Sequence, residues 1–94
     1  YTPVLANRAN EECTEIVSIA GKCCESGDLI GEHIKMPTPE TGDIMAVLAT
    51  GAYNYSMASN DNRLPRPAVV MIKDGADRIA VNRETYADLA RLDV

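Results

Sequence analysis

Pro67-Ala68-Val69-Val70-Met71-Ile72-Lys73-Asp74-Gly75-Ala76-Asp77-Arg78-Ile79-Ala80-Val81-Asn82-Arg83 is the stretch on which the fold class turns. Its two flanking runs, Pro67–Lys73 and Arg78–Arg83, are rich in Val and Ile, side chains that pack well on a pleated surface. Between them, Asp74-Gly75-Ala76-Asp77 is a turn signal, because Asp and Gly accept the positive φ that a tight hairpin turn requires. The stretch reads as a β-hairpin and sets a β-dominated chain as the working expectation.

The same signals recur toward the N-terminus. Pro3–Ala6 is a short apolar run that reads as a strand, and Glu15–Gly21 is β-branched and bounded by Gly, which also fits a strand. Cys24-Glu25-Ser26-Gly27-Asp28 follows directly as a turn or loop. Leu29–Met36 reads as a short strand carrying His33. The prolines and the Gly42-Asp43 pair break regular structure between Met36 and Asp43. Asp43–Ala49 is continuously apolar after its first residue, which predicts a strand buried on both faces, continued after a break by Gly51-Ala52-Tyr53. Ser56–Pro67 is a long polar loop. Glu84–Arg91 places apolar residues at helical spacing, with Glu near its start and Arg near its end to suit the helix dipole, and predicts a terminal helix.

Composition limits what such a chain can be. With 94 residues it is one domain or part of one. It has neither Trp nor Phe, so the core must come from Val, Ile, Leu, Met, Ala and a few Tyr, and must be thin. Nearly half the residues, 46%, are hydrophobic, which predicts apolar faces that another domain or subunit covers. A net charge of −5 argues against nucleic acid as partner. The longest apolar runs, Ile44–Ala49 and Pro67–Ile72, fall far short of the roughly 18 residues that a membrane-crossing helix needs. The first residues, Tyr1-Thr2-Pro3-Val4, resemble neither a signal peptide nor a natural start, so a segment of a longer chain is expected. The three cysteines, Cys13, Cys23 and Cys24, form a poor disulfide framework and read as thiols in a reducing cytoplasm. His33 is the only histidine and no C-x-x-C spacing is present, so no metal site is expected.

Two stretches are unlike ordinary strand connections. One runs from Ser18 through Cys24-Glu25-Ser26-Gly27-Asp28; the other runs from Gly51-Ala52-Tyr53 through Ser56-Met57-Ala58-Ser59-Asn60-Asp61-Asn62-Arg63 to Pro67. Residue types alone put a thiol, a carboxylate and a hydroxyl on one tight turn, where Gly27 lets the backbone approach a ligand closely. A thiol with an ordinary pKa of about 8.5 is protonated at neutral pH and can donate that proton. On these grounds alone the turn reads as structural, with a half-buried cysteine.

The order of the short motifs adds to this. Cys-Glu-Ser-Gly-Asp (24–28), Gly-Asp-Ile-Met-Ala-Val (42–47), Gly-Ala-Tyr (51–53), Ser-Met-Ala-Ser-Asn-x-Asn (56–62) and Arg-Pro-Ala-Val-Val-Met (66–71) together resemble the C-terminal part of diaminopimelate decarboxylases. Each motif is weak alone, but their order and spacing from about Pro3 to Leu89 are specific. The sister ornithine and arginine decarboxylases usually read Cys-Asp-x-x-Asp at the first site, so Glu25-Ser26-Gly27 points to diaminopimelate.

The resemblance implies a fold, a site and partners. The expected fold is mainly β, a sandwich or barrel-like C-terminal domain spanning residues 1–94 and ending in a short helix. Cys24 aligns with the cysteine that protonates Cα after CO2 leaves. Glu25 aligns with the carboxylate that binds the distal amino group of the substrate. Tyr53 aligns with the tyrosine that contacts substrate and the phosphate of pyridoxal 5'-phosphate, the cofactor. The family's Schiff-base lysine and phosphate loop belong to an N-terminal α/β barrel, and none of Lys22, Lys35 and Lys73 stands in the lysine's motif. Lys22 therefore reads as a solvated strand-end lysine. The implied partners are that barrel, a second subunit whose site is completed in trans, and a small amino-acid substrate. The alternatives are a segment of a related ornithine, arginine or carboxynorspermidine decarboxylase, and a non-catalytic β dimerisation module. One departure is Asp61, where the family often carries an aromatic residue, which puts the conformation of that loop in question.

Overall fold

A computed structural model describes residues 2–23 and 25–94. The chain divides into two compact units, Tyr1–Tyr55 and Ser56–Val94. Six strands and two short helices account for most of its regular structure, so the chain is mainly β as expected.

In the first unit, β1 (Thr2–Leu5) pairs antiparallel with β4 (Met45–Leu48), and β2 (Glu15–Ala20) pairs antiparallel with β3 (Leu29–Met36). The register of the second pair slips twice, between Val17 and Ile19 and again between Ile19 and Ala20, each time with one extra residue on β3. His33 sits at the first slip with φ +56, the left-handed conformation that a bulge residue adopts. Histidine is among the few non-glycine types enriched there. Only Leu5 and Met36, each 2% exposed, form the fully buried hydrophobic core among the described residues. A core of this size follows from the absence of Phe and Trp.

A polar knot closes the other side of β1. The Asp43 carboxylate accepts from Asn7 Nδ2 (3.0 Å), from the backbone N–H of Glu40 (2.8 Å) and from Arg8 Nη1 (2.9 Å). Arg8 also donates to Glu11 through Nε at 2.7 Å and to the Thr38 carbonyl at 2.7 Å. Asn7 Oδ1 accepts from the N–H of Ile44 at 2.9 Å, so the knot fixes the entry to β4. The hydrogen bonds from Asn7 and Glu40, with the adjacent guanidinium, hold the Asp43 carboxyl below its ordinary pKa of 3.8.

The expectation for β4 needs correction. Its first three residues are half-buried, while Leu48 and the preceding Ile44 are exposed, so the strand is not buried on both faces. Continuous apolarity reports what side chains avoid, not which body covers them. Gly51-Ala52-Tyr53 is a turn rather than a continuation of that strand, and it leads into α1 (Asn54–Met57). Ala49, at φ +60, turns the backbone out of the ladder before that motif begins.

In the second unit, β5 (Val69–Lys73) and β6 (Ala76–Val81) form the hairpin read from the sequence. Asp74 and Gly75 are its two loop residues, with φ +51 and +77, as a type I′ turn demands. The terminal helix, α2 (Tyr86–Ala90), starts in a capping box. Thr85 Oγ1 accepts from the N–H of Asp88, and the Asp88 carboxylate accepts from the N–H of Thr85. In front of α2, the Glu84 carboxylate accepts from Asn60 Nδ2 (2.7 Å) and from both the backbone N–H (2.7 Å) and Nη2 (3.1 Å) of Arg66. These donors, Arg66 first, lower the Glu84 pKa from 4.5 to about 2. The stretch expected as a long polar loop contains a 3-10 turn at Asp61–Arg63, where Asn62 and Arg63 both have φ +55. Asp61 has its N–H held by Ser59 Oγ at 3.3 Å.

Candidate functional site

The turn that follows β2 is closed on itself by Asp28. The Asp28 carboxylate, through Oδ2, accepts from the N–H of Cys23 at 3.0 Å. Its carbonyl accepts from the N–H of Gly21 at 2.8 Å, and its own N–H donates to the Glu25 carbonyl at 3.0 Å. One aspartate thus ties residues 21, 23 and 25. The approach is so close at Gly21 that a Cβ there would overlap the Asp28 carboxylate. An alanine there would force the Asp28 side chain to move.

Glu25 opens the 3-10 turn Ser26–Asp28 as its N-cap. Its Oε1 accepts from the N–H of Gly27 at 2.9 Å and from Ser26 Oγ at 3.3 Å. Among the described residues the hydrogen bonds of Glu25 fall on Oε1, leaving Oε2 directed elsewhere on an exposed side chain. A carboxylate held by one oxygen and open at the other suits an ammonium group through a charge-assisted hydrogen bond. Cys24, the sequence-expected proton donor, lies outside the described residues. The neighbouring Cys23 is half-buried, and Cys13 is exposed.

Tyr53 lies in the turn between β4 and α1, in the same unit, and is 68% exposed. Its phenol is a donor that a phosphate oxygen can accept from. The lysines offer no match for the aldehyde of a pyridoxal group. Lys22, Lys35 and Lys73 are all exposed, whereas a lysine activated for that chemistry is desolvated or set beside another cation. Among the described residues, the Tyr53 phenol can donate to a phosphate and the Glu25 carboxylate can accept from an ammonium, while none of the lysines is desolvated as a covalent anchor would be. No cluster of potential metal ligands occurs among the described residues. Nor is any helix there long and apolar enough to cross a membrane.

Sequence reasoning missed the part played by Asp28 and Gly21. The signal was present as a Gly and an Asp bracketing the motif in Gly21-Lys22-Cys23-Cys24-Glu25-Ser26-Gly27-Asp28, but their contact is visible only once the turn is built.

Comparison with known proteins bears on the family and the fold. Residues 1–51 match the family model described as pyridoxal-dependent decarboxylase, C-terminal sheet domain. Diaminopimelate decarboxylase from Synechocystis is 56% identical over 93 residues, covering 99% of this chain and 20% of that protein. The Bacillus subtilis enzyme of the same name is 52% identical over 94 residues, covering 100% of this chain and 21% of that protein. The crystal structure of the M. jannaschii diaminopimelate decarboxylase in co-complex with L-lysine superposes with a TM-score of 0.79 at 42% identity, over 85% of this chain and 18% of that one. The chain spans about a fifth of the length of the curated relatives it matches. With a family match over more than half its length and a sheet-domain fold shared with solved relatives, the chain belongs to the pyridoxal-dependent decarboxylases, as their C-terminal sheet domain.

Proposed function

We propose that this chain is the C-terminal domain segment of a diaminopimelate decarboxylase, which converts meso-2,6-diaminopimelate to L-lysine and CO2 with pyridoxal 5'-phosphate. The observation that carries this reading is the Glu25 carboxylate, anchored through Oε1 in a turn closed by Asp28 and open at Oε2. It lies within a stretch more than half identical to enzymes of that name.

Pyridoxal phosphate, anchored by residues outside this chain, supplies the electron sink for the pair left behind when CO2 departs. Glu25 orients the substrate by holding its distal ammonium. Cys24 would deliver a proton to the carbon that has lost its carboxylate. Tyr53 would donate its phenolic hydrogen to a phosphate oxygen of the cofactor and contact the substrate. In this reading the parent protein adds an N-terminal barrel and works in the cytoplasm as a homodimer. Cys24 and Glu25 then reach the partner's site, and the sheet domain as a whole is a sandwich or barrel.

The parent protein is expected to release CO2 from diaminopimelate in preference to ornithine and carboxynorspermidine. Replacing Cys24 by Ala is expected to lower kcat by about 10²–10⁴-fold with little change in KM, because a proton donor acts mainly in the transition state. A parent that prefers ornithine would move the assignment to the sister family. One with no decarboxylase activity would leave the non-catalytic module as the better reading.

A further inference from the structure

We propose that Asp28 is a positioning residue for Glu25, and that its hold on the turn sets the selectivity for a substrate with a second ammonium group. This inference rests on the role given to Glu25 above and adds to it the residue that makes the role possible.

The geometry runs through the backbone. Asp28 accepts from Cys23 N–H with its side chain and from Gly21 N–H with its carbonyl, and it donates to the Glu25 carbonyl. Both ends of the segment that carries Glu25 are therefore fixed by one residue. Within the closed turn, the Gly27 N–H is brought to Glu25 Oε1 at 2.9 Å, with Ser26 Oγ beside it. That pair of donors occupies one carboxylate oxygen and aims the other. A long, exposed side chain without such an anchor would spread over several rotamers, and an ammonium group would have to select one of them.

Gly21 supports the same conclusion from the opposite side. Its missing Cβ is what lets the Asp28 carboxylate fold under the strand end. Asp28 is half-buried with Oδ2 turned to Cys23, so it acts on substrate through Glu25.

The test uses the full-length parent with Asp28→Ala, Asp28→Asn and Glu25→Gln. Two quantities are read: amide hydrogen exchange at Cys23 and Gly27, and the ratio of kcat/KM for diaminopimelate to that for an analogue with hydrogen in place of the distal amino group. Asp28→Ala is expected to speed exchange at both amides and to lower the ratio roughly ten-fold or more, mostly through KM, as Glu25→Gln does. Asp28→Asn keeps an oxygen that can accept from Cys23 N–H and is expected to restore most of both. Unchanged exchange at Gly27 in Asp28→Ala would overturn the proposal. So would equal losses on the two substrates, the mark of a general structural defect, or an Asn variant no better than the Ala variant. A wild-type parent inactive on diaminopimelate would instead overturn the proposed function, and the exchange measurements alone would then decide whether Asp28 holds Glu25.

Discussion

At Gly21 an added Cβ would fall on the Asp28 carboxylate, so any larger residue requires that side chain to move. Gly21→Ala is expected to destabilise the first unit, and Asp28→Ala in the same background to relieve part of that loss by removing the obstructing group. Four unfolding midpoints (wild type, the two single variants and the double) measure the coupling, expected at about 0.5–3 kcal/mol in the relieving direction. Additive losses would mean that the two residues do not meet. Single residues also show where sequence reading ends. Glu25, Tyr53 and Cys24 were singled out through the motifs they stand in, while Asp28 was given no role. Its contacts join positions three to seven residues apart around a bend whose shape no periodicity encodes.

Elements read well where local chemistry decides them. The Asp74-Gly75 hairpin and the terminal helix were both legible, the first through φ-tolerant turn residues and the second through its apolar spacing and end charges, although the Thr85/Asp88 capping box that starts the helix was not read. Thr85→Ala is expected to cost about 1 kcal/mol of stability in the second unit, seen as a lower unfolding midpoint and faster exchange at the Asp88 amide. Glu84, just ahead of the cap, adds a pH dependence. Its folded pKa, about 2, lies below its ordinary 4.5, so the unfolded chain binds its proton first as pH falls. The stability this carboxylate contributes is thus fully present above about pH 4.5 and is lost as pH falls through the window down to about 2. Unfolding midpoints of wild type and Glu84→Gln measured across that range should converge toward its acid end. A constant gap would show that the Asn60 and Arg66 bonds do not depend on the charge. Less legible were β4 and the Gly51–Tyr53 turn. An apolar run looks alike whether this chain or another body covers it, and the positive φ at Ala49 that ends the strand falls on a residue with no sequence signal for it.

For the molecule as a whole, the balance between core and surface sets behaviour. Among the described residues two are buried hydrophobics, while Ile16, Ile44, Ile72, Ile79, Met57 and Leu92 are each more than 60% exposed. Single exposed apolar residues are ordinary, but so many on so short a chain predict association. The 94-residue chain alone is expected to sediment as more than a monomer or to bind an apolar dye, and, lacking a fitting lysine, to release no CO2 from diaminopimelate with added pyridoxal phosphate. A compact monomer without dye binding would count against the covered faces; CO2 release, abolished by replacing one of its lysines, would count against the external anchor.

The pairing of β1 with β4 also has a consequence in time. Thr2 meets Leu48 and Leu5 meets Met45, whereas β5 and β6 are joined by two residues. The hairpin can close within about 1–10 μs of both its strands being available. On the ribosome, by contrast, β1 emerges roughly forty residues before its partner strand, a wait on the order of a few seconds at about 5–20 residues per second. Through that interval Val4 and Leu5 have no β4 to pack against, and Leu5 becomes half of the buried core only once β4 arrives. Nascent chains are therefore most exposed to chaperone capture or misassociation between the synthesis of β1 and that of β4, and slowing translation there should lower the yield of folded protein more than slowing it within the hairpin.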